Sequence, residues 1–389
     1  SRIGADQAKV NASEALASVP GITVQNRQNY AQDLQISSRG FGARSAFGVR
    51  GIRLVSDGIP ASMPDGQGQA ATFNLDRAER IEVMRGPLSA IYGNHAGGVI
   101  QMFTPDGKGA PTVEGSFAAG SYGTWKTDLS AQGEVGGVGY VIDASRFATD
   151  GYRDHSSAER DQTMAKLTYR PSQDGKLTFI ANTFRQDAED PQGLLWTEFQ
   201  KNPRSVGASA LQYNTRKSID HAQGGVSYEH RFGDQTVQFA AYAGQRSTTQ
   251  YQSIPITSQS VSYRASNVKQ SGGVIDFDRD FAGLSGRWTG GFGVAGGRLT
   301  TTVGFDYEQA ADDRQGYENY IGTTTSCTTS ICGVMGRLRR NEEDRVATFD
   351  QYAQAEWQGD RWAFSGGVRH SHVAFKVQDR YIVTGNGDD

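Results

Sequence analysis

Residues 299–308 read Leu299-Thr300-Thr301-Thr302-Val303-Gly304-Phe305-Asp306-Tyr307-Glu308. Leu, Val, Phe and Tyr fall on alternate positions, and Gly, Asp and Glu fall between them. A period of two marks a strand with one apolar and one polar face. The pattern recurs in Thr163, Ala165, Leu167 and Tyr169 against Met164, Lys166, Thr168 and Arg170. It recurs again in Val237, Phe239, Ala241 and Ala243, and in Trp362, Phe364, Gly366 and Val368. Each run is about ten residues, enough for a tilted strand to cross a bilayer. Soluble strands average about five or six.

Working outward from these runs, about eleven strands are predicted. They lie near 112–121, 124–134, 138–149, 159–170, 175–187, 218–231, 235–247, 268–280, 299–310, 344–357 and 361–374. Their connections alternate in length. Gly136-Gly137, Pro171 to Asp174, Gly233-Asp234 and Gly359-Asp360 are tight turns. Gln186 to Lys217, Ser247 to Asn267 and Ala311 to Glu343 are long polar links. Short turns at one end and long loops at the other are what an outer-membrane barrel shows. One join breaks this rule, because Phe281 to Arg298 is long and Gly-rich where a tight turn is due.

Composition agrees and excludes several classes. Of 389 residues, 49 are Gly and 10% are aromatic, while hydrophobics reach only 37%. The aromatics argue against disorder. Lys and Arg number 39 against 42 Asp and Glu, a net charge of -3, which lacks the basic excess of a nucleic-acid-binding surface. No 18-residue apolar run exists to form a transmembrane helix, which leaves membrane-crossing strands open. Catalytic signatures are missing: Gly136 to Gly139 has no crossover helix after it, and no Gly-x-Ser-x-Gly elbow occurs. Among six scattered histidines only His370 and His372 are close, sharing one strand face as a possible metal pair against an ordinary lumen or loop role. We therefore expect no enzyme and no cofactor.

The first hundred residues differ from the rest. Asn11 followed by Glu14 starts a capped helix through Ala12, Ala15, Leu16 and Val19, ended by Pro20-Gly21. Short strands follow at Leu34 to Ser38 and Gly51 to Val55, the second stopped by the Asp57-Gly58 turn. Asn74 caps a short helix through Glu79, and Ile81 to Met84 returns to strand. Pro87 opens a one-turn helix over Leu88 to Tyr92, and Gly98 to Phe103 closes the unit as a strand. This reads as a small α+β domain with a mixed sheet.

Within it run Ser38-Arg39-Gly40-Phe41-Gly42, Arg50-Gly51-Ile52-Arg53-Leu54 with Asp57-Gly58-Ile59-Pro60, and Glu79-Arg80-Ile81-Glu82-Val83-Met84-Arg85-Gly86-Pro87. Ser89-Ala90-Ile91-Tyr92-Gly93 and Ala96-Gly97-Gly98-Val99-Ile100 follow in order. These motifs resemble the plug domain of TonB-dependent outer-membrane receptors, with the iron-chelate and siderophore type the nearest in character. The resemblance implies a mainly β protein: a plug over residues 1–107, then antiparallel transmembrane strands over 108–389. Family barrels have about 22 strands. Residues 108–389 give about 13 per strand over that number, but about 26 over eleven, so the expectation is the N-terminal half of a barrel. An open half would leave two unpaired edges in lipid, so it is not expected to stand alone. The family also carries a short apolar coupling segment ahead of the plug, and Ser1 to Lys9 holds no convincing version.

By the same resemblance the protein sits in the bacterial outer membrane, imports a ferric chelate, and meets a TonB-type coupling protein, lipid and the chelate as partners. Receptors for cobalamin, copper or another nutrient, and a passive porin, are the alternatives. Ligand contacts are expected from two plug loops: Arg44 and Phe47 in one, Met63, Gln67, Gln69 and Phe73 in the other. Arg44 suits anionic carboxylates. In the dense charge set Arg39, Arg50, Arg53, Arg80, Arg85, Glu79 and Glu82, the resemblance implies a plug–barrel lock, assigned to Arg39, Arg85, Glu79 and Glu82. Cys327 and Cys332 are expected to pin the 311–343 loop by a disulfide, with thiolate metal capture as the alternative.

Overall fold

The computed structural model describes residues 7–26, 29–45, 48–84, 89–93, 95–259, 271–323 and 325–383. Its first element is helix α1 (Ala12–Leu16). The Glu14 carboxylate reaches back to accept from the backbone N–H of Val10 at 2.8 Å and Asn11 at 2.9 Å, which fixes the helix start. Strands β1 (Ile22–Gln25) and β2 (Gln35–Ser38) pair antiparallel, as do the two-residue strands β3 (Val49–Arg50) and β6 (Gln67–Gly68). Between them lie β4 (Arg53–Ser56) and β5 (Ile59–Pro60). With β7 (Arg80–Met84) and β8 (Val99–Phe103) these build the expected mixed sheet, in the order β5-β4-β8-β7 with only β4 and β8 parallel. Helix α2 (Ser89–Tyr92) is one turn long. The Asn74 side chain caps a 3-10 turn, Leu75–Arg77, shorter than the helix expected there. Leu16, Ile36, Leu54, Phe73, Leu75, Ile100 and Met102 form the domain's core.

The second unit is a single eleven-stranded antiparallel meander. Its first six strands are β9 (Thr112–Ala119), β10 (Trp125–Val135), β11 (Val138–Thr149), β12 (Ala158–Tyr169), β13 (Gly175–Glu189) and β14 (Arg216–Phe232). Then come β15 (Gln235–Tyr251), β16 (Val274–Val294), β17 (Gly297–Tyr317), β20 (Leu338–Gln358) and β21 (Ala363–Asp379). A two-residue hairpin of β18 (Tyr320–Ile321) and β19 (Ile331–Cys332) interrupts the run. Each wall strand pairs with its sequence neighbours, leaving β9 and β21 at the edges. Strands β16, β17 and β20 are 21 residues each, about twice the length a crossing needs, so they project beyond the membrane.

Phe281 to Arg298 is not a loop. It is the second half of β16 followed by a two-residue turn, Ala295-Gly296, with both residues at positive φ (51° and 73°). Such a hairpin turn ordinarily carries Asn or Gly first, and Ala295 hides it. The glycines along this strand make room for rings rather than marking a turn. A Cβ on Gly286 would lie 2.5 Å from the Phe305 ring, and one on Gly283 would lie 2.5 Å from the Tyr242 hydroxyl.

Burial along the wall inverts the soluble pattern. On β12, Lys166 is 3% exposed while its neighbour Leu167 is 43% exposed. Asp128, Asp143 and Arg160 are likewise buried against the plug, and Leu129, Ile142, Phe179, Phe239 and Leu284 face out. Apolar outside and polar inside suits strands whose outer solvent is lipid. At the short-turn end Trp288, Phe292, Trp357, Trp362 and Phe364 cluster, with Trp357–Phe364 centroids 5.9 Å apart. The indole N–H of Trp357 donates to the Val294 carbonyl at 2.8 Å, so its ring enters lipid with the polar atom satisfied.

At the other end the long links carry α3 (Trp196–Lys201), α4 (Ala208–Gln212) and α5 (Ile256–Gln259). They pack on one another through Tyr213, Ile256 and Tyr320, with Cys327 and Cys332 against that cluster. The two cysteines form a disulfide, Cα–Cα 5.6 Å. Gln259 donates to the Asn319 side chain at 2.9 Å, tying two of the links together.

Candidate functional site

The plug is seated by charges on the inward positions of the wall. Arg53 of β4 meets Glu308 of β17 through a two-pronged contact of 3.0 and 2.5 Å, and the Tyr242 hydroxyl donates to the same carboxylate at 2.9 Å. Burial alone would lower the Arg53 pKa, but the Glu308 carboxylate raises it overall, so the guanidinium stays charged. Arg77 lies 3.1 Å from Asp128 and 3.0 Å from Asp143, and Asn74 donates to Asp143 at 2.6 Å. Lys126 pairs with Asp76 at 2.6 Å and donates to the Ala8 and Lys9 carbonyls. Asp57, at the predicted turn, accepts from Thr104 and from Lys166 at 2.9 Å. In the linker to the wall, Asp106 meets Lys166, Arg170 and Lys176 at 3.2, 2.9 and 2.8 Å.

The residues assigned to this lock from sequence sit elsewhere. Arg39 is exposed at positive φ (49°) and makes no ion pair with a described residue. Glu82 is exposed and pairs within the plug with Arg80 at 2.7 Å. Glu79 is exposed and lines a cavity of about 450 Å³ between the plug and the short-turn half of the wall. Arg85 lies outside the described residues. Arg53 alone of the original charge set forms an ion pair with the wall among the described residues.

His95 is buried beside this lock, with Nδ1 2.9 Å from the Tyr92 carbonyl and Nε2 without a partner among the described residues. Burial first, then the charge of Arg53, depress its pKa to about 4, so the folded ring is neutral. In the unfolded chain it takes a proton near 6.5. Its contribution to stability is therefore full above about pH 6.5 and is lost as pH falls through about 4, at most about 3 kcal/mol. Thermal unfolding of the receptor between pH 7.5 and 4 is expected to show this loss, with a shallower slope in His95→Gln. Equal slopes would remove His95 from the account.

At the long-loop end a cavity of about 880 Å³ opens between plug and wall. Arg44, Gln67 and Gln69 of the plug line it. Met63 does not; it is 2% exposed and packs on Phe281, Ala310 and Val346 of the wall. Phe73 is equally buried in the plug core, and Phe47 lies outside the described residues. The wall adds Lys217, Arg246, Phe277, Arg279 and Arg314, which the sequence reading missed. Their signal was available: each is a charge or ring at an inward position near a long loop. Lys217 pairs with plug Asp33 at 2.9 Å, and Arg279 with plug Asp65 at 3.2 Å and wall Asp312 at 2.6 Å. Burial would raise the Asp33 carboxyl, but Lys217 and Arg246 hold it below the usual range. His370 and His372 pair with Gln351 and Phe349 on the outward side of β21, away from this cavity.

A plug clamped by buried ion pairs against lipid-facing strands defines an occluded outer-membrane barrel. Residues 3–99 match the TonB-dependent receptor plug domain, and residues 151–389 match the TonB-dependent receptor-like β-barrel. The second match spans more than half of the chain, and the chain belongs to the TonB-dependent receptors, proteins of the bacterial outer membrane. A hemin receptor of Yersinia enterocolitica is 25% identical over a 246-residue alignment that covers 58% of this chain and 32% of that protein. Among solved structures, the unliganded ferric citrate transporter FecA is similar with a TM-score of 0.76 at 18% identity, covering 96% of this chain and 56% of its own. The siderophore receptor PiuA of Acinetobacter baumannii gives 0.71 at 16% identity, covering 97% and 57%. At these identities the structures speak for the fold alone. The chain spans about half the length of those structures and about a third of the hemin receptor.

Proposed function

We propose that the complete receptor captures a negatively charged metal chelate, a ferric siderophore or a ferric citrate-like complex, at the outward vestibule and imports it to the periplasm. The vestibule's charge carries this reading. Arg44, Arg50, Arg246 and Arg314 line it without an ion-pair partner among the described residues. Four guanidiniums without a direct ion pair, beside the amides of Gln67 and Gln69, favour a ligand that presents several oxygen anions. Similarity to a ferric citrate transporter, a siderophore receptor and a hemin receptor supports iron as the metal. The chelate is cargo, and the protein's part is to bind, to seal and to open.

Binding shifts an equilibrium only by its differential affinity, so accumulation requires work delivered to the plug. A TonB-type coupling protein drawing on the inner-membrane proton gradient supplies it in this reading. Uptake of radioactive iron by cells expressing the full-length receptor tests the proposal, with ferric citrate, hydroxamate, catecholate and hemin offered in parallel. Uptake of an anionic chelate that stops when the gradient is dissipated is the expected result. Uptake of cobalamin alone, or steady conduction without the coupling protein, would overturn it.

A further inference from the structure

Of the four vestibule guanidiniums without an ion pair among the described residues, one is buried. Arg246 is 3% exposed and lines the cavity, yet it makes no hydrogen bond or ion pair with a described residue, and its Nη1 is sealed from solvent without an acceptor. Its direct cross-strand neighbour His221 offers no relief. Among the described residues neither ring nitrogen of His221 reaches Arg246, and the ring stacks on Phe281 with centroids 5.7 Å apart. The cations on either side are satisfied differently. Lys217 and Arg279 already hold carboxylates of the plug, Asp33 and Asp65, at 2.9 and 3.2 Å. A buried charge left without a partner destabilises the fold that contains it. Retaining one that faces a cavity makes physical sense when the partner arrives from outside.

We propose that Arg246 anchors a carboxylate of the ligand, and that the ligand's charge then competes with Asp33 and Asp65 for Lys217 and Arg279. The site already accepts carboxylates at two adjacent cations, so a third is like for like, and the guanidinium fork grips it through two N–H donors. An anion at Arg246 also repels the Asp33 carboxylate, which feels the charge of Arg246. Asp33 follows Asn29 and Gln32, whose side chains both hold Asp190 at the start of the 190–215 link. Loosening Asp33 therefore reaches the plug and the outer loop through one short segment. This inference rests on reading the vestibule as the chelate site.

The test uses the full-length receptor in detergent, with iron-free citrate as the carboxylate probe. Without citrate, Arg246→Gln is expected to melt above the wild type, because an unpaired charge has been removed. Its citrate affinity, read from the melting shift, should fall at least about tenfold. Arg246→Lys keeps the charge and should keep much of the shift. Amide hydrogen exchange over residues 29–34 should rise with citrate in the wild type and stay flat in Arg246→Gln. The proposal is overturned if Arg246→Gln melts lower or fails to assemble, which makes the arginine structural. A citrate shift absent from the wild type, or unchanged in the variant, overturns it as well, as does exchange that ignores citrate. A receptor that passes these tests but transports no ferric chelate sinks the import reading and leaves the anion site standing.

Discussion

Glu308→Gln should unseat the plug. It leaves Arg53 charged, 12% exposed in its side chain, and facing a neutral amide where two N–H···O contacts of 3.0 and 2.5 Å had been. Removing one partner of a buried pair costs about 3–5 kcal/mol, most of it the stranded charge. The full-length variant is expected to conduct ions in planar bilayers where the wild type stays closed, and to admit bulky antibiotics into cells. The paired replacement Arg53→Met with Glu308→Met should recover much of the seal, since neither charge is then left alone. Arg39→Ala supplies the contrast. That side chain is exposed and meets no wall carboxylate among the described residues, so its effect should stay within about 0.5 kcal/mol. A leak in Arg39→Ala with silence in Glu308→Gln would return the lock to the residues first assigned to it.

Why the lock went to Arg53 and not Arg39 shows what a linear reading reaches. Alternation told which wall residues share a face, and the membrane reading told which face is outward: Lys166 in and Leu167 out follow from the two together. It cannot tell which inward carboxylate faces which plug cation. Arg53 and Glu308 are separated by 255 positions, and their meeting depends on the plug's rotation inside the wall. The Arg39 assignment followed a motif, but that residue sits in a turn at positive φ with its side chain exposed. Ligand residues divided along similar lines. Polar Arg44, Gln67 and Gln69 remained at the vestibule, while apolar Met63 and Phe73 were drawn into packing, because a small domain buries its few large apolar groups first. The one misread connection, Phe281 to Arg298, failed for a local reason. Glycines that accommodate neighbouring rings read as loop, and an alanine at positive φ gave no turn signal.

Val303→Arg is the substitution expected to act most strongly on assembly in the membrane. Val303 is 45% exposed on the outward face of β17, directly opposite Trp288 and Ala353. It stands four residues from Leu299, which pairs with Trp357 of the aromatic cluster, and so roughly 10 Å into the apolar band for a tilted strand. An arginine at that depth costs about 2–4 kcal/mol when it faces lipid. The same side chain one residue earlier should be far better tolerated. Thr302 points inward, its hydroxyl 3.2 Å from that of Thr289, toward the polar interior. Folding of the two full-length variants into lipid vesicles, followed by the shift of the folded band on an unheated gel, separates the faces. Val303→Arg should insert poorly and unfold at lower denaturant, and Thr302→Arg should insert nearly as the wild type does. Equal insertion would mean that the outward face of this wall does not meet lipid. The plug would then sit in some other enclosure, and neither a sealed lumen nor an outward vestibule would follow from the fold.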